Sequence, residues 1–154
     1  MLDPTVRAVD ANDGADVAQL DLLQVDARAA LVGQRGGERW LIEHPPIADW
    51  TARAAEPGVD VVVAHIDAVV VGYLVAVLGE DHIVRVDQVW VDPMARENGF
   101  GDALLDLAIE RARTHGAVAV EGQALPGDRH TKNLYERAGI VARLITTYRS
   151  QTDD

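Results

Sequence analysis

Apolar positions along the chain change period several times, and each change marks an element. Thr5–Asp10 (TVRAVD) predicts a short first strand. From Ala15 to Ala30, Val17, Leu20, Leu23 and Ala27 recur at helical spacing, behind Asp10 or Asn12 as a cap. Gln34-Arg-Gly-Gly-Glu reads as a turn, and Arg39–Gly58 is the least regular stretch. Within it, Ile47–Ala55 predicts a second short helix, entered through Pro45-Pro46 and ended by Pro57-Gly58. Val59–Ile66 and Ala68–Leu78 are β-branched runs joined at Asp67, an antiparallel pair. Gly79–His82 turns the chain into a third such run, Ile83–Val91, which Asp92-Pro93 ends because proline has no amide for a ladder.

From Gly101 the apolar positions become Leu104, Leu105, Ala108, Ile109 and Ala112, which is helical spacing. Arg111, Arg113 and His115 gather before Gly116, as a helix C-terminus prefers. Ala117–Gln123 is the next strand, and the strand–helix–strand crossover makes it parallel to Ile83–Val91. Thr131–Ala138 predicts a last helix with Gly139 as its cap, Val141–Arg149 a strand closing the sheet, and Gln151–Asp154 a frayed end. The expected fold is α/β (α+β) in the order βααβββαβαβ. Its sheet is mostly antiparallel, with a parallel central pair (fourth and fifth strands) and helices on both faces.

Between the Ile83 strand and its helix lies Arg96-Glu97-Asn98-Gly99-Phe100-Gly101. A helix begins with unpaired N–H groups and the positive end of its dipole, which favours an anion. Gly99 and Gly101 carry no side chain to hold a phosphate off the backbone, and Arg96 adds a cation of suitable fork geometry. A tight strand-to-helix loop would need the same glycines. The dinucleotide fingerprint fails at Leu104, and there is no Gly-Lys-Ser/Thr for a P-loop.

Val89-x-Val91-x-Pro93 followed by Arg96-x-x-Gly99-x-Gly101 and an apolar helix resembles the acetyl-CoA-binding motif of the GCN5-related N-acetyltransferases, the GNAT superfamily. Asp128-Arg-His-Thr-Lys-Asn-Leu-Tyr135-Glu-Arg-Ala-Gly139-Ile140 resembles that family's next motif, N-x-x-A-x-x-L-Y-E-x-x-G-F. The resemblance implies acetyl-CoA as the acyl donor. Residues Arg96, Glu97, Asn98, Gly99, Phe100, Gly101 and Asp102 would then surround its pyrophosphate. Val89 and Val91 would pair with the pantetheine arm, and Asp128 and Tyr135 would contact the cofactor. It also makes Tyr135 the proton donor to the CoA sulfur, Asp87 a proton relay in mid-strand, and the N–H near Val91 an oxyanion contact. Packing of Tyr135 and pairing of Asp87 with Arg85 are the plainer readings of those two residues. Two positions depart from the family: Asp128 stands where Asn is usual and can only accept hydrogen bonds, and Glu97 places a negative charge near phosphates.

Composition narrows the chemistry. The chain has 154 residues, 48% of them hydrophobic, which suits one domain spanning 1–154 with a core over about 5–149. With no cysteine and a single serine, Ser150 in the tail, there is no evident covalent nucleophile. Direct attack by an acceptor amine therefore fits better than an acyl-enzyme. Such attack needs the ammonium deprotonated, the oxyanion stabilised and the leaving thiolate protonated. The five histidines show no metal-ligand spacing, so no metal is expected. Absence of an n-region and h-region at the N-terminus, and of any apolar run long enough for a bilayer, makes a cytoplasmic protein without membrane contact the default. One lysine against thirteen arginines hints at a GC-rich bacterial genome.

Net charge is −11, of which residues 1–95 hold −10 and residues 96–154 only −1. Nucleic acid is a poor partner for so acidic a chain. The acidic part is free to attract a cation, although solubility alone would also account for it. Trp40, Glu43, His44 and Trp50, with Tyr73, are the candidate acceptor site, an aromatic and acidic cluster suited to an ammonium. Core packing would use both tryptophans equally well. A small, cationic amine is thus the expected acceptor, and a homodimer is compatible with the sequence. The alternatives are a non-enzymatic CoA-binding regulatory domain and an acyltransferase acting on a protein or peptide N-terminus.

Overall fold

The computed structural model describes residues 3–152; the last two residues of the predicted frayed end lie outside them. Among the described residues the elements are β1 (Thr5–Ala8), α1 (Gly14–Ala29), α2 (Gly37–Glu43), α3 (Trp50–Ala55), β2 (Val59–Ile66), β3 (Val69–Leu78), β4 (Ile83–Val91), α4 (Phe100–Thr114), β5 (Ala119–Gly122) and α5 (Arg129–Arg137). The strands form one mixed sheet in sequence order, antiparallel from β1 to β4 and parallel between β4 and β5.

Period-two alternation sends successive β2 and β3 residues to opposite faces, and each face has its own helices. Val62, Ala64, Leu74, Ala76, Val84 and Val86 pack with α4 residues Phe100, Leu104, Leu105 and Ala108 and with Leu134 and Tyr135 of α5. Val61, Val63, Tyr73 and Val75 pack on the other face with Leu20 and Leu23 of α1 and Trp50 of α3. Asp16 of α1 is buried yet paired, its carboxylate accepting both Nη atoms of Arg7 on β1 at 2.7 and 2.8 Å and the Asp10 N–H at 3.2 Å.

Two differences from the sequence-based expectations concern local elements. The helix α2 was not expected from periodicity. Its residues are held by an Arg39–Glu43 ion pair one turn apart, by Trp40 stacked on His44 at 4.0 Å, and by Arg28, which donates to the carbonyls of Leu41 and His44 at 3.1 and 2.6 Å. The helix expected over Ile47–Ala55 starts only at Trp50, because Asp49 caps it by accepting from the Ala52 N–H, while Ile47 bonds through both backbone groups to Gln24.

The strand predicted over Val141–Arg149 does not form. α5 stops at Gly139 in the left-handed region, and the Ile140 N–H turns back to the Tyr135 carbonyl at 2.9 Å. Beyond it the chain is irregular and exposed, with Tyr148 under the Arg39 guanidinium at 4.9 Å. An alternating pattern makes a strand only where a sheet edge accepts it, and this segment pairs with none.

Candidate active site

The sheet opens along β4. Its pairing with β5 ends at Val86↔Gly122, while β4 runs on to Val91. On the other side, Val75 pairs with Gln88 but Ala76 pairs with Val86, so Asp87 is the extra residue of a β-bulge. Both pairings therefore change at Asp87, and from there to Val91 the outer backbone edge of β4 faces no strand. A cleft of about 560 Å³ lies along this edge. Val89, Val91, Arg96, Asp128, Tyr135, Asp87, Trp40, His44 and Tyr73 are among the residues that line it.

Tyr135 is 5% exposed, and its ring lies against the backbone of Gly122, where any Cβ would come within 2.7 Å of the phenolic oxygen. Glycine inside a strand often marks such a close approach. The hydroxyl makes no hydrogen bond among the described residues. Burial, reinforced by the Asp128 charge, raises the phenol's pKa well above its ordinary value, so the proton is retained. Asp87 has no ion pair among the described residues, because Arg85 is taken by Asp81 and Glu121, each at 2.7 Å. The Arg85 bond first, and then the Ile83 N–H at 3.1 Å, hold the Asp81 carboxyl at about 2.

Next to the cleft, a second hollow of about 320 Å³ is lined by Arg96, Glu97, Gly99, Phe100, Gly101 and Asp102, with His130, Asn133, Leu134 and Arg137 of α5 and Val91 and Ala95 behind them. Gly99 occupies the left-handed region as the N-cap of α4 and gives no side-chain cap, so the N–H groups of Phe100, Gly101 and Asp102 have no capping acceptor. Asn98 staples the loop, donating to the carbonyls of Ala95 and Arg96 at 3.1 and 3.0 Å. The Arg96 guanidinium lies 4.6 Å over the Trp90 ring with Nε bonded to the Val91 carbonyl, leaving both Nη atoms without an acid among the described residues. A Cβ at Gly101 would press on Leu134 at 3.3 Å, so this glycine sets the approach of α4 to α5. Asp102 bonds Arg137 across the same contact at 2.9 Å.

Some expected site residues sit elsewhere. Trp50 is 2% exposed, donates to Asp21 at 2.8 Å and stands edge-on to Tyr73; it is core and does not line the cleft. Glu43 turns outward to Arg39 and is also outside it. Asp128 caps α5, accepting from the Thr131 N–H at 3.1 Å and hydroxyl at 2.7 Å, which accounts for an acceptor-only side chain here. Sequence reasoning missed Gln88 and Gln24, which hold the Tyr73 hydroxyl in a chain of bonds at 2.7 and 3.3 Å. Burial raises the Tyr73 pKa. It also missed Arg28, Trp90 and His130 as cleft residues. Burial first, then Arg96, lowers the His130 pKa, which favours the neutral ring.

A mixed sheet opened along one strand, beside a glycine-rich start to the following helix, is the architecture that comparison with known proteins names. The acetyltransferase (GNAT) family model matches residues 22–140, and the chain belongs to that family. It is accordingly an acetyl-CoA-dependent N-acetyltransferase by class. No curated protein sequence gives a significant match. Similar solved structures include an aminoglycoside acetyltransferase, meta-AAC0020, from an uncultured soil metagenomic sample (16% identity, TM-score 0.73, 97% of each chain covered). A ribosomal-protein-alanine N-acetyltransferase from Brucella melitensis biovar Abortus 2308 aligns over 99% of this chain and 100% of that one (16%, 0.68). AAC(6')-Iy, solved with the bisubstrate analogue CoA-S-monomethyl-acetylneamine, aligns over 98% and 100% (15%, 0.70). At these identities the likeness is one of fold.

The residues present fit acetyl-CoA on two counts: a strand edge of β4 that faces no strand among the described residues, for an extended arm, and uncapped amides beside a guanidinium with no acid partner among those residues, for phosphates. No helix among the described residues is long and apolar enough to cross a membrane.

Proposed function

We propose that this protein transfers the acetyl group of acetyl-CoA directly to the primary amine of a small, cationic acceptor. The carrying observation is the single cleft that joins the open β4 edge to Tyr135, to the bulged Asp87 and to the aromatic wall of Trp40, His44 and Tyr73. Acetyl-CoA, when bound, supplies an acetyl group activated as a thioester. The backbone of Val89–Val91 would hold its arm as an added strand, and Arg96 with the α4 amides its phosphates. Tyr135 keeps a proton at Oη for the departing sulfur. Asp87 is a carboxylate with no ion pair among the described residues and accepts the proton that the ammonium must lose, directly or through water. The aromatic wall suits a cation by cation–π contact. The acidic balance of residues 1–95 draws such a cation toward this side.

The test is a panel of amines scored by released CoA, repeated across ionic strength. A polyamine, amino sugar or basic amino-acid derivative is the expected best substrate. Its KM should rise several-fold with salt at nearly constant kcat, as screening over about 8–10 Å removes the attraction. A neutral or acidic amine with a salt-independent KM would reduce the acidic side to a solubility feature.

A further inference from the structure

Arg28 enters the cleft from α1. Leu20, Gln24 and Arg28 follow one another a turn apart along that helix. Leu20 packs in one cluster with Tyr73, and Gln24 accepts from Gln88 of β4. The next turn brings Arg28 to the cleft, which it lines together with Asp87, Tyr73 and Trp40. A guanidinium has five N–H donors. The bonds of Arg28 to the carbonyls of Leu41 and His44 leave the other three without a partner among the described residues. Neighbouring cations are engaged: Arg53 pairs with Glu56 at 2.6 Å, Arg85 with Asp81 and Glu121 at 2.7 Å, and Arg96 lies over Trp90 beside the hollow proposed for the phosphates. Arg28 and Asp87, both half-buried, have no ion pair among the described residues, with each other or with any other group. The Tyr73 hydroxyl feels both: burial raises its pKa, the Arg28 charge opposes that rise and the Asp87 charge adds to it. A cation and an anion therefore face one cleft without neutralising each other.

We propose that the acceptor is an amino acid, its amine turned toward Asp87 and its carboxylate held by Arg28. This rests on the acyl-transfer reading above and narrows its acceptor to one class. A carboxylate takes the planar, charge-assisted bonds that a guanidinium offers, and an ammonium on the same molecule satisfies Asp87. The pair of charges disfavours simpler ligands. A diamine would leave Arg28 unpaired and carry a second cation toward it. A phosphate or other dianion would meet the negative charge of Asp87 with Arg28 alone in compensation. A peptide N-terminus has an amide where an amino acid has its carboxylate, so it would give Arg28 only a neutral carbonyl. A basic side chain on the amino acid keeps the net positive charge that the acidic residues 1–95 attract.

The test compares each standard amino acid with its own amide and its decarboxylated amine, such as lysine with lysinamide and cadaverine, by CoA released at saturating acetyl-CoA. For the best amino acid, kcat/KM should exceed that of either partner by about 10- to 100-fold, the worth of a hydrogen bond between charged groups. Arg28→Met should bring that ratio toward one, and Arg28→Lys, which keeps the charge, should restore part of it. The ratio is the readout because Arg28 also braces α2, and loss of the brace alone lowers acid and amide together and leaves the ratio unchanged. The wild-type ratio is read first, so a variant that fails to fold leaves the comparison standing. If no amine is acetylated, the acyl-transfer reading fails, and calorimetric titration of the same acids and amides into the CoA-loaded protein decides the carboxylate site. A wild-type protein that treats acid and amide alike, or prefers the decarboxylated amine, overturns the proposal. So does a ratio that survives Arg28→Met, or the absence of any amino-acid binding.

Discussion

Tyr135→Phe isolates one atom. The ring would remain on Gly122, and the hydroxyl that disappears makes no hydrogen bond among the described residues, so folding loses nothing specific. The unfolding free energy should stay within the roughly ±0.5 kcal/mol of a neutral substitution. Acetyl-CoA affinity by calorimetry should also hold, because the contacts proposed for its arm and phosphates are untouched. What goes is the proton for the departing sulfur. A positioned general acid is commonly worth ~10²-fold, so kcat should fall by about that factor, close to 2.7 kcal/mol of barrier. A second variant reaches the same atom from behind. A Cβ placed at Gly122 would lie 2.7 Å from the Tyr135 hydroxyl, against an ordinary contact of about 3.5 Å or more, so Gly122→Ala must push the phenol aside by about 1 Å. Such a displacement can itself cost ~10²-fold. Combining the two substitutions should cost little more than either alone. Because burial raises the Tyr135 pKa, the wild-type rate should show no loss at the ordinary phenol pKa near 10. Steady-state CoA release with the best amine, from neutral to alkaline pH, reads all of this. Tyr135→Phe turning over at the wild-type rate would refute the assignment and leave Tyr135 as packing.

Other perturbations follow from the same geometry. Arg96→Ala removes a guanidinium that lines the hollow proposed for the phosphates and has no acid partner among the described residues, and should weaken acetyl-CoA binding by about 1.5–3 kcal/mol, measured by calorimetry. Glu97 holds a left-handed φ of 65°, so Glu97→Gly should gain up to about 1 kcal/mol in chemical denaturation and bind acetyl-CoA more tightly, having lost a charge from the hollow proposed for the phosphates. The bonds from Arg7, reinforced by the Asp10 N–H, depress the Asp16 carboxyl below its ordinary value. The stability it contributes is therefore present above the unfolded pKa near 3.9 and is lost as pH falls through the lower folded value. Asp16→Asn should cost about 1–3 kcal/mol at pH 7, with the difference from wild type closing in acid.

The strands and α4 were legible because β-branched runs and a 3.6-residue period are local signals. The glycine loop and Tyr135 were legible because two motifs stand in the right order along one chain. The bulge at Asp87 was not, since an unpaired residue is defined by its partner strand and leaves no mark of its own in the sequence. α2 was hidden for a similar reason: its supports are Arg28 from another helix and a Trp40–His44 stack, not an apolar period. Trp50 could not be sorted from Trp40 by composition, because a buried indole needs only a hydrogen-bond partner, and Asp21 supplies it from a distance along the chain. Gly122 did carry a signal, a glycine within a strand. Val141–Arg149 shows the limit of alternation, which states a preference for pairing and cannot supply the edge.

The claim that acetyl passes directly to an amine is tested most closely by single-turnover rapid quench with radiolabelled acetyl-CoA and the best amine of the panel. The account predicts label moving from acetyl-CoA to the amine with one CoA released per acetyl transferred, and no labelled protein at any time. Label trapped on the protein during turnover, or acetyl-CoA bound with no transfer to any amine, would contradict it.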